Sequence, residues 1–146
     1  MRVFVENEAG STTKHHHDEK ALVLLRTEEI ARRYPFPYGF VVNTTGGDGD
    51  NVDCFVITDT PLRTGEIVEC EPVALLEQVE DGDIDHNVLA VLSGEAPEIA
   101  PGVVAALTEF IANFREHQPG VVSTVGRLLD RAAALAYVEA CRDPAD

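Results

Sequence analysis

The 146-residue chain is 45% hydrophobic and 25% charged, the make-up of one globular domain, residues 1–146, with a core of its own. Its 26 acidic residues against 11 basic ones give a formal net charge of -15, which repels phosphate backbones and anionic headgroups and argues against nucleic-acid and membrane-surface binding. Glu6 interrupts the opening before a signal-like apolar run develops, no later run approaches the roughly 20 residues of a membrane span, and Cys54, Cys70 and Cys141 form no CxxC pair, so we expect a cytoplasmic protein with reduced, packed thiols.

In chain order, candidate strands fall at 3–5, 21–26, 39–43, 53–58, 66–76, 88–92 and 121–125, most of them bounded by Gly, Pro, Asn or Asp clusters. At the start of the fifth, Val68 and Cys70 alternate with Glu69 and Glu71, the pattern of a strand with one wet side. His15, His16 and His17 precede the second strand on what reads as an exposed hairpin. A helix is predicted over 101–114 from the stripe Val103, Leu107, Phe110 and Phe114, with Pro119 and Gly120 ending it. A second stripe, Leu128, Ala132 and Leu135, runs towards Cys141 until Asp143 and Pro144 stop it. Strands early and helices late indicate an α+β fold around a small barrel.

The chemistry concentrates between Gly46 and Cys54, where Asp48, Asp50 and Asp53 fall within six residues around a glycine. Three carboxylates this close repel one another. Either the loop is simply solvated, or hard, oxygen-seeking cations such as Mg²⁺ or Mn²⁺ hold it together. An EF-hand calcium loop places Asp48, Asp50 and Asp59 at positions 1, 3 and 12, but Val52 and Asp53 occupy positions 5 and 6, and Pro35 and Pro37 rule out an entering helix. Elsewhere Glu80, Asp81, Asp83 and Asp85 form an acidic run of the kind that is ordinarily a solvated turn.

The text Tyr34 Pro35 Phe36 Pro37 Tyr38 Gly39 Phe40, then Asn43 Thr44, then Asp48 Gly49 Asp50 Asn51 Val52 Asp53 resembles the signature of the soluble family I inorganic pyrophosphatases, YPxxYGFxxxT followed by DGDPxD. Glu6 and Lys14 keep the family's spacing of an early Glu to a phosphate-binding Lys, and Arg26 stands eight residues before Tyr34, where the family carries an Arg. The resemblance implies a five-stranded OB-type barrel with two packed helices, assembled as a homo-oligomer, a hexamer in bacterial relatives. It implies hydrolysis of pyrophosphate, or a related small phosphoanhydride, to two phosphates by direct attack of a metal-activated water. Asp50 would be the general base; Lys14, Arg26, Tyr38 and Arg115 would bind substrate; Glu6, His16, Asp48, Asp53, Glu80 and Asp85 would hold metal, Mg²⁺ first, with Mn²⁺ or Zn²⁺ as alternatives.

Departures accompany these matches. The family has Glu where His16 stands, Pro at Asn51, Asp at Glu80, Lys at Asn87 and a Tyr-Lys pair at Phe114 and Arg115. A one-residue slip would put Asp81 in the place of Glu80. Two other readings stay open on the sequence: a divergent paralogue that acts on another phosphoanhydride or binds phosphate ligands with little turnover, and a non-catalytic metal-binding module.

Overall fold

The structure, a computed structural model, describes residues 1–118 and 120–145; Pro119, read above as part of a helix stop, lies outside the described residues. Nine strands and two helices follow one another among the described residues: β1 (Arg2–Asn7), β2 (Thr13–Asp18), β3 (Val23–Glu29), β4 (Tyr38–Val41), β5 (Asp53–Val56), β6 (Ile67–Glu80), β7 (Asp83–Ile84), β8 (Asn87–Leu92), α1 (Val103–Asn113), β9 (Ser123–Leu129) and α2 (Arg131–Ala140). Five of the strands close on themselves in the order β1, β4, β5, β8, β6 and back to β1, with β5 and β8 parallel and every other pair antiparallel. β7 and β9 lie along the far half of β6, and β2 and β3 form a separate two-stranded hairpin. The expected α+β fold around a five-stranded barrel is the one that forms.

Period-two alternation along the ring strands sorts their side chains into two cores. Cys54, Val56, Leu75, Val88 and Ala90 join Val3, Val5, Ala134 and Val138 of α2 in one. Phe55, Leu76 and Leu89 face the other, where Tyr34 and the α1 side chains Leu107, Phe110 and Ile111 cover them. The α1 stripe is buried as its spacing predicts, and Phe114 caps the helix against Phe110 with ring centroids 5.0 Å apart. All three cysteines are free; Cys54 and Cys70 are buried and burial raises their thiol pKa values.

Two elements differ from the sequence expectation. The stripe through Leu128, Ala132 and Leu135 is not a helix face: Leu128 belongs to β9, Leu135 is exposed, and α2 buries Ala134 and Val138 instead. Asp130 explains the change of phase, because its side chain accepts the Ala133 N–H at 3.0 Å and starts a new helix after the strand. The histidines do lie on a hairpin, as read from the sequence, but it is not an exposed one. They form β2, half-buried, with His15 and His17 turned to Asn7 and Glu6 of β1 and His16 to Glu28 of β3. No apolar alternation announces this strand; pairing with β3 and polar contacts to β1 hold it.

Gly39 is required by closure of the ring. β1 and β4 approach so closely there that a Cβ on Gly39 would lie 1.8 Å from the Phe4 carbonyl oxygen, which is backbone and cannot yield. We expect Gly39→Ala to destabilise the protein by about 3 kcal/mol or more, read from urea denaturation; an unchanged midpoint would show that the strands can part.

Candidate active site

A cavity of about 390 Å³ lies where the barrel wall, the β2–β3 hairpin and the C-terminal end of α1 meet. Every residue singled out above as catalytic, substrate-binding or metal-ligating borders it. β1 supplies Glu6, β2 supplies Lys14 and His16, and β3 supplies Arg26, while Tyr38 opens β4 and Asp53 opens β5. Asp48 and Asp50 come from the loop between those two strands, Glu80 from the end of β6, Asp85 from the segment after β7, and Arg115 from just beyond α1.

Ligand atoms of Asp48, Asp53 and Asp85 lie within 4.8 Å of one another. The parallel pairing of β5 with β8 places Asp53 beside Asn87, and Asp85 reaches the same point from two residues upstream. Burial pushes the Asp53 carboxyl well above the ordinary range, and a side-chain hydrogen bond with Asp85 and that residue's charge push it further. Asp48 is raised too, by burial first and then by the charges of Asp85 and Asp50. Oxygen donors alone, mutually repelling and poorly hydrated, are the chemistry that a hard divalent cation satisfies.

The remaining carboxylates are spoken for differently. Glu6 accepts the His17 N–H at 3.2 Å on the oxygen that also meets His17 Nδ1 at 3.1 Å. Glu80 Oε1 stands 3.9 Å from Arg115 Nε and accepts the Ser123 hydroxyl at 3.5 Å. Of the two candidates there, Glu80 borders the cavity, whereas Asp81 accepts the Val122 N–H at 2.9 Å. His16 Nε2 is 2.8 Å from Glu28, and burial lowers its basicity, against the pull of that hydrogen bond, with the charges of Lys14 and Arg26 adding to the decrease.

Cations face the acidic trio from the other walls. Lys14 Nζ sits 5.3 Å from the centre of the Tyr38 ring, and the Arg115 guanidinium 5.1 Å from that of Phe114. Arg115 Nε is buried with no hydrogen-bond partner among the described residues, a donor that an anion can take up. Burial, then the charges of Asp53 and Asp85, keep the Tyr38 hydroxyl protonated far above its usual pKa.

The inorganic pyrophosphatase family model matches residues 3–145. The chain belongs to that family. An inorganic pyrophosphatase from Synechocystis sp. is 29% identical over 151 aligned positions, covering 97% of this chain and 89% of that protein, and one from Nostoc sp. is 29% identical over 136, covering 86% and 80%. Among solved structures, the Thermus thermophilus inorganic pyrophosphatase is similar with a TM-score of 0.87 at 27% identity, covering 97% of this chain and 88% of that one. The Coxiella burnetii inorganic pyrophosphatase gives 0.86 at 26%, covering 97% and 92%.

Within this pyrophosphatase frame, the departures have definite places. Asn87 is buried and donates its amide to Gln78, so two neutral amides stand where the resemblance leads one to expect a Lys. Phe114 packs into the core instead of offering a hydroxyl. Sequence reasoning missed Gln78, which lies beyond the predicted end of β6, and His17, hidden in a run without periodicity. It also missed Glu19, whose place in a polar turn gives no local signal. Burial, with the charges of Glu6 and Asp50, pushes the Glu19 carboxyl up to about 8.

The raised carboxyls fix a pH dependence. A group whose pKa is higher folded than unfolded lends its full relative stability below the unfolded value and loses it as pH climbs through the folded one. For Glu19 that window runs from the ordinary value of 4.5 to about 8, and Asp48 and Asp53 shift in the same direction. In chelator, the unfolding free energy is therefore expected to fall between about pH 5 and pH 9, and a saturating divalent cation to flatten the fall. A flat or rising profile without metal would contradict the assignment.

Proposed function

We propose that this chain hydrolyses inorganic pyrophosphate to two phosphates with the help of divalent cations, Mg²⁺ first and Mn²⁺ or Zn²⁺ as alternatives. The observation that carries the reading is the convergence of Asp48, Asp53 and Asp85 within 4.8 Å on one wall of a cavity whose other walls present Lys14, Arg26 and Arg115. Asp48, Asp53 and Asp85 would hold metal together, with Glu6, Glu80 and His16 as the outer members of the set. The imidazole of His16 is paired with Glu28, which leaves oxygen donors in the majority and favours the harder ions. When bound, such ions supply the positive charge that lets a protein of net charge -15 hold a multiply charged anion, and they polarise the phosphoryl group and the attacking water.

The chain's own groups do the rest. Asp50 lies on the exposed loop with its backbone N–H tied to Asp48 Oδ1 at 3.1 Å, and its carboxylate takes the proton of the attacking water. Lys14, Arg26 and Arg115 hold the oxygens that do not transfer, keeping the phosphorus in line with the nucleophile. The protonated hydroxyl of Tyr38 donates to a phosphate oxygen. No covalent enzyme intermediate is needed, because water is the nucleophile and phosphate the leaving group.

No helix among the described residues is long and apolar enough to cross a membrane. The reading carries with it a cytoplasmic location, a single domain over 1–146 and a homo-oligomer, a hexamer by resemblance. The assembly is supported by apolar side chains left exposed on β3 and beside β9, Leu25 at 67% and Val122 at 64%.

Asp50→Asn tests the chemistry. It is expected to lower kcat for phosphate release by about a hundredfold or more while thermal unfolding stays unchanged, and near-normal turnover would remove Asp50 from the role of base. Screening the unaltered protein against pyrophosphate with Mg²⁺, Mn²⁺ and Zn²⁺ in turn tests the metal; binding of each without phosphate release would leave only a metal-binding module.

A further inference from the structure

The β2–β3 hairpin carries Lys14 and Arg26 but belongs to a sheet of its own, so something must hold those cations in register with the carboxylates across the cavity. The tie runs through the turn that joins the two strands. Glu19 Oε1 accepts the backbone N–H of Asn51 at 3.0 Å, and Asn51 Nδ2 returns a bond to the Glu19 carbonyl at 3.4 Å while donating to the Val41 carbonyl at 3.1 Å. Beside it, Lys20 Nζ donates to the Thr45 hydroxyl at 2.8 Å and meets Asp143 at 3.2 Å. Two adjacent turn residues thus grip both ends of the loop that carries Asp48 and Asp50.

Asn51 is buried and directly follows Asp50. Its backbone N–H exists because the residue is not proline; the proline of the signature has no such donor. Holding the peptide after Asp50 fixes where that carboxylate starts from, on a loop whose two acidic side chains are otherwise exposed. We propose that Glu19 is a positioning residue: by accepting the Asn51 N–H it sets Asp50 in register with the hairpin that bears Lys14 and Arg26. A carboxyl and a primary amide both offer an oxygen to that N–H, so Gln at this position keeps the acceptor. The inference rests on the hydrolytic reading above for its kinetic consequence, and on the hydrogen bond alone for its structural one.

Three variants and two readouts decide it. Glu19→Ala removes the acceptor, Glu19→Gln keeps an acceptor oxygen while removing the acid, and Asn51→Pro removes the donor. Amide exchange at Asn51 is expected to speed up in Glu19→Ala and to stay slow in Glu19→Gln. With saturating Mg²⁺, kcat for pyrophosphate is expected to fall about tenfold in Glu19→Ala, with KM changing far less, and to be rescued to within about twofold by Gln. Asn51→Pro removes the same N–H together with the side-chain bonds to the Glu19 and Val41 carbonyls, so it should lose at least as much as Glu19→Ala, and adding Glu19→Ala to it should cost nothing further. Equal losses in Glu19→Gln and Glu19→Ala would overturn the proposal and make the acid itself, as a cation ligand, the reason for Glu19. An unaltered exchange rate in Glu19→Ala would overturn it as well. Should the unaltered protein release no phosphate, the hydrolytic reading fails, while exchange at Asn51 still reports whether Glu19 holds the loop.

Discussion

Asp48, Asp53 and Asp85 would not choose one another's company in water. Holding three carboxyl groups within 4.8 Å, one of them at the half-buried start of a barrel strand, costs free energy that the fold supplies from elsewhere. The barrel supplies it through closure: β5 and β8 are locked side by side in parallel register, and their apolar residues alternate into two cores whichever way the carboxylates are charged. Electrostatic tension at the mouth is thus kept apart from the packing that resists it. A divalent cation held between these carboxylates would relieve the tension, and the barrel already brings the three oxygen donors to one point.

The opposite wall is built on another principle. Lys14 and Arg26 project from a hairpin whose strands pair only with each other, and whose inner contacts are polar: Asn7 accepts the His15 N–H at 2.7 Å, and Glu6 accepts that of His17 at 3.2 Å. Asn7 is itself fully buried and donates to the Tyr34 hydroxyl at 3.2 Å, so a chain of satisfied polar groups links the hairpin to the signature tyrosines. The acidic trio and the two hairpin cations, Lys14 and Arg26, therefore rest on different supports, an apolar barrel and a hydrogen-bonded flap, while Arg115 comes from just beyond α1.

Much of this was legible in the sequence. The α1 stripe was, because Val103, Leu107 and Phe110 repeat at helical spacing and bury that face. The signature also places Tyr38, Asp48, Asp50 and Asp53 at short fixed separations, and all four border one cavity. What resisted reading had physical causes. β2 is written in Lys and His, and its strand conformation comes from partners distant in the chain. α2 took a different face from the one Leu128, Ala132 and Leu135 suggest, because the cap at Asp130 resets the helical phase. Glu19 became visible only once the turn was seen against Asn51, thirty-two positions away.

The modest attachment of that flap has an outcome of its own. Segments that bury little apolar surface open at a lower free energy than the core beside them, and β3 leaves Val23, Leu24 and Leu25 more than half exposed. On warming, a hairpin so attached is expected to open before the barrel melts, carrying Lys14 and Arg26 away from the carboxylates while the core stays folded.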